Sequence, residues 1–479
     1  MRIEFINAVL GGDFSAMDIS ITALATFINE RSDHSAGIID LVFHRRNWKG
    51  YLHRALEKKK PDWVGISTNT MYMNYCQQVM QEVKKHNIPI ILGGHHASTR
   101  PKETIAIPEV DAICIGDGEY ALKEFLDRKR DNRSCQIIPG IWVKEDGRIA
   151  GNSGGRFIEN LDDLPLLDWN LWADLDKYFY CLGMIYVIFS RGCPYRCSFC
   201  DGWGIASSVK QGCYYREKKP VLSARELYKY WYTYRHRGLR LAQVFDPVFT
   251  LDERWVVAFC EEYARLGSPL PFSVFSRIDN LNETKINALA GANCRLLRVG
   301  IESGDEYIRN DVYNKKISDE QIREVFRLCK KKGIGFTAFY ILGGPGETRQ
   351  TIQKTIDMAV ELDANRTAFF IYKPFTKEAA ALVQEHGGYI DSKRWKKANN
   401  ITFGAVITSK DLSPRQVELL QVKAYFLTFG RRLLRLVIKY KLRYFTWLLL
   451  YMLRGLRNGL DWKYLLTYYH IYQGPYVKE

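Results

Sequence analysis

The chain has 479 residues, 47% of them hydrophobic and 25% charged; this excludes wholesale disorder and leaves room for two or three domains with buried cores. Its formal net charge of +16 calls for an anionic partner or location, and nucleic acid, an anionic membrane surface and an anionic substrate all stay open at this level. The 11 cysteines are scattered except for one knot of three. With an amino terminus that reads as a strand and not as a signal peptide, they point to a reducing cytoplasm and away from a disulfide framework.

Residues 1 to about 128 alternate strand and helix signals. Arg2 to Val9 reads as a strand, followed by a polar Gly11-Gly12-Asp13 turn and a helix near Ile19 to Glu30. Gly37 to Phe43 is a second strand and Val64 to Ser67 a third, with a helix from about Tyr75 to His86. Pro89 to Leu92 is a fourth strand, ending at Gly93-Gly94-His95-His96-Ala97. Ala112 to Ile115 is a fifth, ending at Gly116-Asp117-Gly118-Glu119 and a helix over Tyr120 to Leu126. Short apolar strands alternating with helices predict a parallel, doubly wound sheet. Ligands of such sheets bind beyond the carboxyl ends of the strands, where both glycine turns fall, and glycine lets backbone come close to a ligand. Tight turns are also a plain requirement of the fold, so either turn alone is weak as a binding signal.

Further on, the apolar run Met184 to Phe189 reads as a strand and leads into Ser190-Arg191-Gly192-Cys193-Pro194-Tyr195-Arg196-Cys197-Ser198-Phe199-Cys200. Three thiols this close, leaving a strand through Gly-Cys-Pro, suit a loop wrapped around one metal centre. Structural zinc sites want four ligands, commonly as two separated pairs, and no second pair follows at that spacing. Three cysteines on a four-iron cluster leave one iron for a small molecule. Cysteines packed as small hydrophobes fit poorly beside Pro194, Arg196 and Ser198. Cys213, the one extra cysteine nearby on the carboxyl side, is a candidate substrate-site residue, but a spectator role is the commoner fate of an isolated cysteine.

This stretch resembles the cluster loop of the radical S-adenosylmethionine (SAM) enzymes, with Phe199 in the aromatic position before the last cysteine. The resemblance implies that Cys193, Cys197 and Cys200 hold a [4Fe–4S] cluster whose free iron takes the amino and carboxylate groups of SAM. It also implies an external low-potential electron donor, and cleavage of SAM to a 5′-deoxyadenosyl radical that takes hydrogen from an unactivated carbon.

From Ile185 to about Lys373 the chain alternates again, as a (β/α)6 partial barrel would. Its strand candidates are Ile185–Phe189, Ala242–Phe245, Phe272–Phe275, Leu296–Ile301, Thr337–Leu342 and Thr367–Tyr372. Helices fall between them, Ala224–Arg237 and Asp319–Lys331 among them, the latter behind a Ser318 cap. Barrel chemistry sits at the carboxyl ends of the strands, and polar groups arrive there that suit an amino-acid carboxylate, an ammonium and a ribose. Arg277 is the candidate for the SAM carboxylate, Glu302 with Ser303 for the ribose hydroxyls, and Asp246 for the methionine ammonium or the substrate; Phe199 joins this SAM set. The plain alternative for each is a rim salt bridge or helix cap.

Gly300-Ile301-Glu302-Ser303-Gly304, Gly343-Gly344-Pro345-Gly346-Glu347-Thr348 and the connector Tyr313-Asn314-Lys315-Lys316-Ile317 resemble the cobalamin-linked radical SAM subfamily. So do the upstream glycine turns and the Asp-Leu-Pro segment Asp162–Trp169, which looks like that subfamily's interdomain linker. The resemblance implies cobalamin at Ser67, Gly93, Gly94, His95, Gly116, Gly118 and Glu119. No Asp-x-His-x-x-Gly stretch is present, so no protein histidine is expected to ligate cobalt, and some relatives keep the domain empty. The sixth strand departs from the subfamily pattern, with Lys373-Pro374-Phe375-Thr376-Lys377 where a Pro-Gly-Thr turn is usual.

The expected layout is therefore α/β throughout: an amino-terminal doubly wound, Rossmann-like cobalamin-binding domain over 1–160, a linker over 161–180, a (β/α)6 partial TIM barrel radical SAM domain over 181–380, and a helical, basic, aromatic-rich region over 381–479. In that last region Arg431 to Arg457 holds eight Lys or Arg and no acid, and its longest apolar run, Phe445 to Leu453, is far short of the ~20 residues that span a bilayer. It reads as a helix lying on an anionic membrane surface, as the lining of a site for an anionic or lipid substrate, or as a helix pair packed on the barrel. Nucleic acid is not expected, because no recognition motif accompanies the charge. The functional expectation is a cobalamin-dependent radical SAM methyltransferase with a small-molecule substrate. The alternative is a radical SAM dehydratase, epimerase, cyclase or oxidase.

Overall fold

The computed structural model describes residues 1–8, 17–145, 147–152, 154–398, 400–440 and 442–457. The expected Gly11-Gly12-Asp13 turn lies outside them, as does the last part of the basic tail. Two compact units emerge. One comprises Met1–Leu175, Arg191–Pro194 and Asp201–Glu217; the other comprises Asp176–Ser190, Tyr195–Cys200 and the chain from Lys218 onward.

The first unit is built on a seven-stranded sheet. Arg2–Asn7 lies between Ser35–Asp40 and Trp63–Ser67, and Ile90–Gly93 and Ala112–Cys114 follow outward, all parallel. Strands covered on both faces must be apolar along their whole length, and Val64, Ile66, Ile90, Leu92 and Ile113 are all buried. The first long helix, Ile19–Arg31, starts where the Asp18 carboxylate accepts from the amides of Ser20 (2.6 Å) and Ile21 (3.1 Å), satisfying donors the helix cannot. The second strand is shorter than expected. Asp40 ends it by accepting from the Val42 amide at 3.1 Å, and this local Asx turn diverts Val42–Asn47 into a 3-10 helix. An antiparallel hairpin, Ile141–Glu145 with Arg148–Gly151, completes the sheet. The Asp162–Trp169 segment is packed on the first helix, not loose: the Asp168 amide donates to Thr26 Oγ1 and Trp172 Nε1 donates to Thr22 Oγ1, both at 2.9 Å.

The second unit holds six parallel strands in chain order: Met184–Val187, Leu241–Val244, Phe272–Ser276, Cys294–Glu302, Gly335–Leu342 and Arg366–Ile371. The sheet is curled and its two edge strands do not meet, which makes it a half-barrel. Helices alternate with the strands on the outside. Asp319–Lys331 begins with a full capping box between Ser318 and Gln321, the reciprocal arrangement that satisfies two orphan donors at once. Its carboxyl-terminal helix Pro414–Tyr440 covers the edge strand Arg366–Ile371: Gln421 Nε2 donates to the Phe369 carbonyl at 2.8 Å and Tyr425 Oη accepts from the Phe369 amide at 3.1 Å. Covering an edge in this way removes a template for strand addition.

Candidate functional site

In the first unit the carboxyl ends of the third, fourth and fifth strands deliver Ser67, Gly93-Gly94-His95 and Gly116-Asp117-Gly118-Glu119. Gly94 is fixed by the fold. Its φ is +89°, and a Cβ there would stand 2.7 Å from both the amide and the carbonyl of Thr68. Gly93 is different: a Cβ would meet nothing closer than the Cys114 carbonyl at 3.9 Å. Glycine at that strand end is thus not demanded by the protein's own packing, which fits a site kept open for a bulky ligand. His95 is more than half exposed and pairs through Nδ1 with Asp201 at 3.3 Å. Protein crowded around the ring partly desolvates it and pulls its pKa down, but the hydrogen bond and charge of Asp201, with Asp18 behind, overcome that and raise it. His96 is turned inward, with Thr70 Oγ1 at 3.1 Å from Nδ1, and burial pushes it down to about 4.

Glu119 is spent on a partner the sequence did not announce. Both of its oxygens accept from Arg191, at 2.5 and 3.3 Å, and Asp117 joins Arg191 at 3.2 Å and Arg216 at 3.3 Å. Burial raises the Glu119 pKa, but the charge and hydrogen bonds of Arg191 outweigh it, so the carboxylate is held below its ordinary range. Arg191 begins the cysteine loop, and Gly192 follows it with φ +85° and the Tyr214 carbonyl 2.0 Å from where a Cβ would be. The residue before Cys193 can only be glycine. Cys193 itself belongs to this unit.

Cys197 and Cys200 belong to the second unit, where the loop is held by a cradle. The Ser198 amide donates to the Tyr313 carbonyl at 3.3 Å and its hydroxyl donates to the Val312 carbonyl at 2.6 Å. Asn314 Nδ2 donates to the Arg196 carbonyl at 3.0 Å, and the Phe199 ring meets Tyr313 edge-on at 5.5 Å. The connector at Tyr313-Asn314, with Val312 before it, is therefore the seat of the loop.

Arg277 holds the same loop from the third barrel strand. Its Nη1 donates to the Cys197 sulfur at 3.3 Å, while Nε and Nη2 clasp Asp279 at 2.9 Å and Nη2 reaches the Lys315 carbonyl at 2.6 Å. The guanidinium also lies 3.8 Å from the centre of the Tyr195 ring. Burial works against its charge, but Asp279 more than restores it. Arg277 is thus placed against the Cys197 sulfur, with its fork already engaged by Asp279 and not free for a SAM carboxylate.

Glu302 lies at a bulge of the fourth barrel strand with φ +72° and pairs with Lys315 at 2.9 Å. A Cβ on Gly300 would stand 2.0 Å from Glu302 Oε1, and one on Gly304 would meet the Lys354 carbonyl at 2.5 Å. Gly300 is what lets this ion pair fit, while Gly304 makes room for the helix backbone at Lys354 and Thr355. Ser303 is fully buried, with its hydroxyl on Thr355 Oγ1 (3.2 Å) and the Asp305 amide (3.1 Å). Asp246 is buried too and accepts from the Phe189 amide at 2.6 Å, tying the end of the first barrel strand to the second. Glu347 accepts from the Gly344 amide at 2.9 Å, while Oε1 finds no partner, and burial pushes its pKa up to about 8. The hydroxyls of Tyr313 and Tyr372 are likewise buried without a hydrogen bond.

None of the 11 cysteines is in a disulfide. Among the described residues no three His, Cys, Asp or Glu side chains converge tightly enough for a single metal ion. A cuboidal cluster takes its thiolates at separate corners, and three cysteines on one loop, one of them hydrogen-bonded by an arginine, fit that donor chemistry. The Radical SAM superfamily model matches residues 187–359, and the B12 binding domain model matches residues 4–126.

The chain belongs to the radical SAM superfamily. This radical SAM protein carries a B12-binding domain ahead of its half-barrel, and the two domains bring a [4Fe–4S] cluster, SAM and cobalamin as their groups. It is 27% identical over 412 residues to the "Uncharacterized methyltransferase PH0819" of Pyrococcus horikoshii, covering 85% of this chain and 86% of that one. It is 26% identical over 355 residues to the anaerobic magnesium-protoporphyrin IX monomethyl ester cyclase of Rubrivivax gelatinosus, covering 72% of this chain and 61% of the cyclase. Among solved structures, the radical SAM methyltransferase TsrM from Kitasatospora setae, with cobalamin and [4Fe–4S] cluster bound, superposes with a TM-score of 0.71 at 18% identity, covering 90% of this chain and 88% of TsrM. That likeness is one of fold.

Proposed function

We propose that this radical SAM enzyme is a cobalamin-dependent methyltransferase acting on an unactivated carbon of a small molecule. One observation carries the reading: the similarity to the Pyrococcus horikoshii methyltransferase runs through both domains and 86% of that protein. When bound, the cluster supplies the electron that splits SAM into methionine and a 5′-deoxyadenosyl radical, and cobalamin supplies the methyl group. Cys193, Cys197 and Cys200 hold the cluster. Arg277 and the Tyr313–Lys315 connector orient the loop, and Arg277 donates a hydrogen bond to one cluster sulfur. Phe199 and the rim residues Asp246 and Glu302 border SAM, while Ser303 supports that rim from beneath. Ser67, Gly93, Gly94, His95, Gly116 and Gly118 border cobalamin, with Glu119 anchoring the loop through Arg191. The enzyme is placed in a reducing cytoplasm, where thiols stay reduced, with an external low-potential electron donor to supply the cluster.

A second reading, a radical cyclase or oxidase that abstracts hydrogen without transferring a methyl group, is favoured by the similarity to the Rubrivivax cyclase. The anaerobically reconstituted protein, supplied with cobalamin, SAM, reductant and a small-molecule cell extract as the source of substrate, separates the two. Methyl transfer yields S-adenosylhomocysteine alongside 5′-deoxyadenosine and a product heavier by one methyl group. 5′-Deoxyadenosine alone, from protein with cobalamin bound, rejects methyl transfer in favour of the second reading.

A further inference from the structure

The half-barrel and its cofactors leave one feature unused: the outer faces of the two carboxyl-terminal helices. Pro414–Tyr440 turns Val417, Leu420, Gln421 and Ala424 into the protein. On its opposite face, Leu419, Val422, Phe426 and Phe429 stand exposed at spacings of three and four, with Phe426 75% and Val422 65% accessible. Helix Leu442–Arg457 repeats the arrangement. Tyr451 is buried and stacks on Tyr180, whose hydroxyl donates to the Tyr451 carbonyl at 2.7 Å, while Leu449, Leu453 and Leu456 are exposed along one side. Scattered exposed leucines are ordinary, but apolar rows on two consecutive helices mark an interaction surface.

The charge pattern names what covers these rows. From Arg431 to Arg457 the sequence places eight Lys or Arg and not one acid among the leucines and aromatics, in a chain of net charge +16. A protein partner binding mainly through apolar contact would not call for such uniform charge. A surface with hydrocarbon beneath and anionic groups above does, because apolar side chains enter the acyl boundary while Lys and Arg stay at headgroup level. No described helix is long and apolar enough to cross a membrane. We propose that the outer faces of Pro414–Tyr440 and Leu442–Arg457 seat the enzyme on an anionic lipid bilayer, lying in its interface.

The test is co-sedimentation of the full-length protein with vesicles of phosphatidylcholine alone and of phosphatidylcholine with phosphatidylglycerol. The protein is expected to partition at least tenfold more strongly onto the anionic vesicles, with the difference shrinking as salt screens it. Val422→Glu with Phe426→Glu, and separately Leu449→Glu with Leu453→Glu, alter exposed positions away from the cofactor sites. Each pair is expected to lower partitioning at least tenfold with an unchanged circular dichroism spectrum. Absence of binding to anionic vesicles by the intact protein overturns the proposal, whatever the variants do. So does a dimer, seen by light scattering, that the same substitutions dissolve while vesicle binding stays undetected, since a second copy would then be what covers the rows.

Discussion

Arg277 Nη1 donates to the Cys197 sulfur at 3.3 Å, and Asp279 fixes the rest of the guanidinium in place. The ion pair keeps the fork rigid, so the charge facing the sulfur cannot swing away at small cost. With Cys197 as a proposed ligand of the cluster, a positive hydrogen-bond donor at its sulfur stabilises the more electron-rich state.

Arg277→Gln is therefore expected to make the cluster harder to reduce. Each 1.4 kcal/mol of preferential stabilisation lost lowers a one-electron potential by about 59 mV. A redox titration followed by electron paramagnetic resonance reads the shift directly, and SAM cleavage with a weak reductant should slow in step. An unchanged potential with four irons still bound would mean that the Arg277 contact serves the loop's shape alone.

The cysteines separate by the same kind of test. Cys193→Ala, Cys197→Ala and Cys200→Ala should each lose the cluster's visible absorption and all SAM cleavage. Cys213 is exposed and donates to the Tyr215 carbonyl at 3.2 Å, so Cys213→Ala should keep both. Loss of the cluster in Cys213→Ala would show a fourth ligand and refute an open iron.

Much of this layout was legible in the sequence. All six barrel strands fall within a few residues of their expected places because each is an apolar run ended by a polar turn. The Ser318 cap is where its hydroxyl and Gln321 require it. The hairpin Ile141–Glu145/Arg148–Gly151 had a signal in the sequence, the dipeptide Asp-Gly that is favoured between antiparallel strands. The partners of Arg191, Arg277 and Lys315 had none. They lie 72, 80 and 13 residues away along the chain, and only the folded backbone decides which carboxylate or sulfur an arginine or lysine meets. For that reason the sequence could put Glu302, Ser303 and Glu119 at strand ends without telling that Ser303 is sealed inside and that Glu119 is already paired.

The Gly300–Glu302 relationship gives a test of packing. A methyl at position 300 would collide with Glu302 Oε1 and crowd Lys315 Nζ at 2.9 Å. Gly300→Ala should destabilise the protein by roughly 1–3 kcal/mol, the usual cost of overpacking, measured by urea unfolding. In a Glu302→Ala background the obstacle is gone, so the same change should cost clearly less. Additive costs would show that the glycine answers to something other than the carboxylate.

Glu347 sets a pH dependence of opposite sign to that of most carboxylates. Burial raises its folded pKa to about 8 from an ordinary 4.5. Between those values the unfolded chain releases the proton and the folded one keeps it. Stability contributed by the protonated group is therefore complete below about pH 4.5 and falls as pH rises towards about 8, where the loss levels off. Each pKa unit corresponds to about 1.36 kcal/mol, so the span is on the order of a few kcal/mol. Glu347→Gln, neutral at every pH and close in shape, should be more stable than the parent at pH 8 and similar at pH 5. A stability difference that does not change with pH would show that Glu347 ionises normally.

Glu119 and Arg191 supply the last prediction. Glu119 is buried, Arg191 nearly so, and the two meet through both carboxylate oxygens. Removing one partner of such a pair leaves the other charge without compensation, at a cost of roughly 3–5 kcal/mol when the site is dry; Asp117, 3.2 Å from Arg191, offsets part of that. Glu119→Gln should therefore destabilise the protein by about 2 kcal/mol and loosen the loop at Arg191-Gly192-Cys193, lowering iron retention during gel filtration. If Glu119 instead serves cobalamin directly, Glu119→Gln should lower corrinoid content while thermal stability and iron stay at the parent's level. Measured together, melting temperature, iron and corrinoid separate an anchor of the cysteine loop from a ligand of the B12 domain.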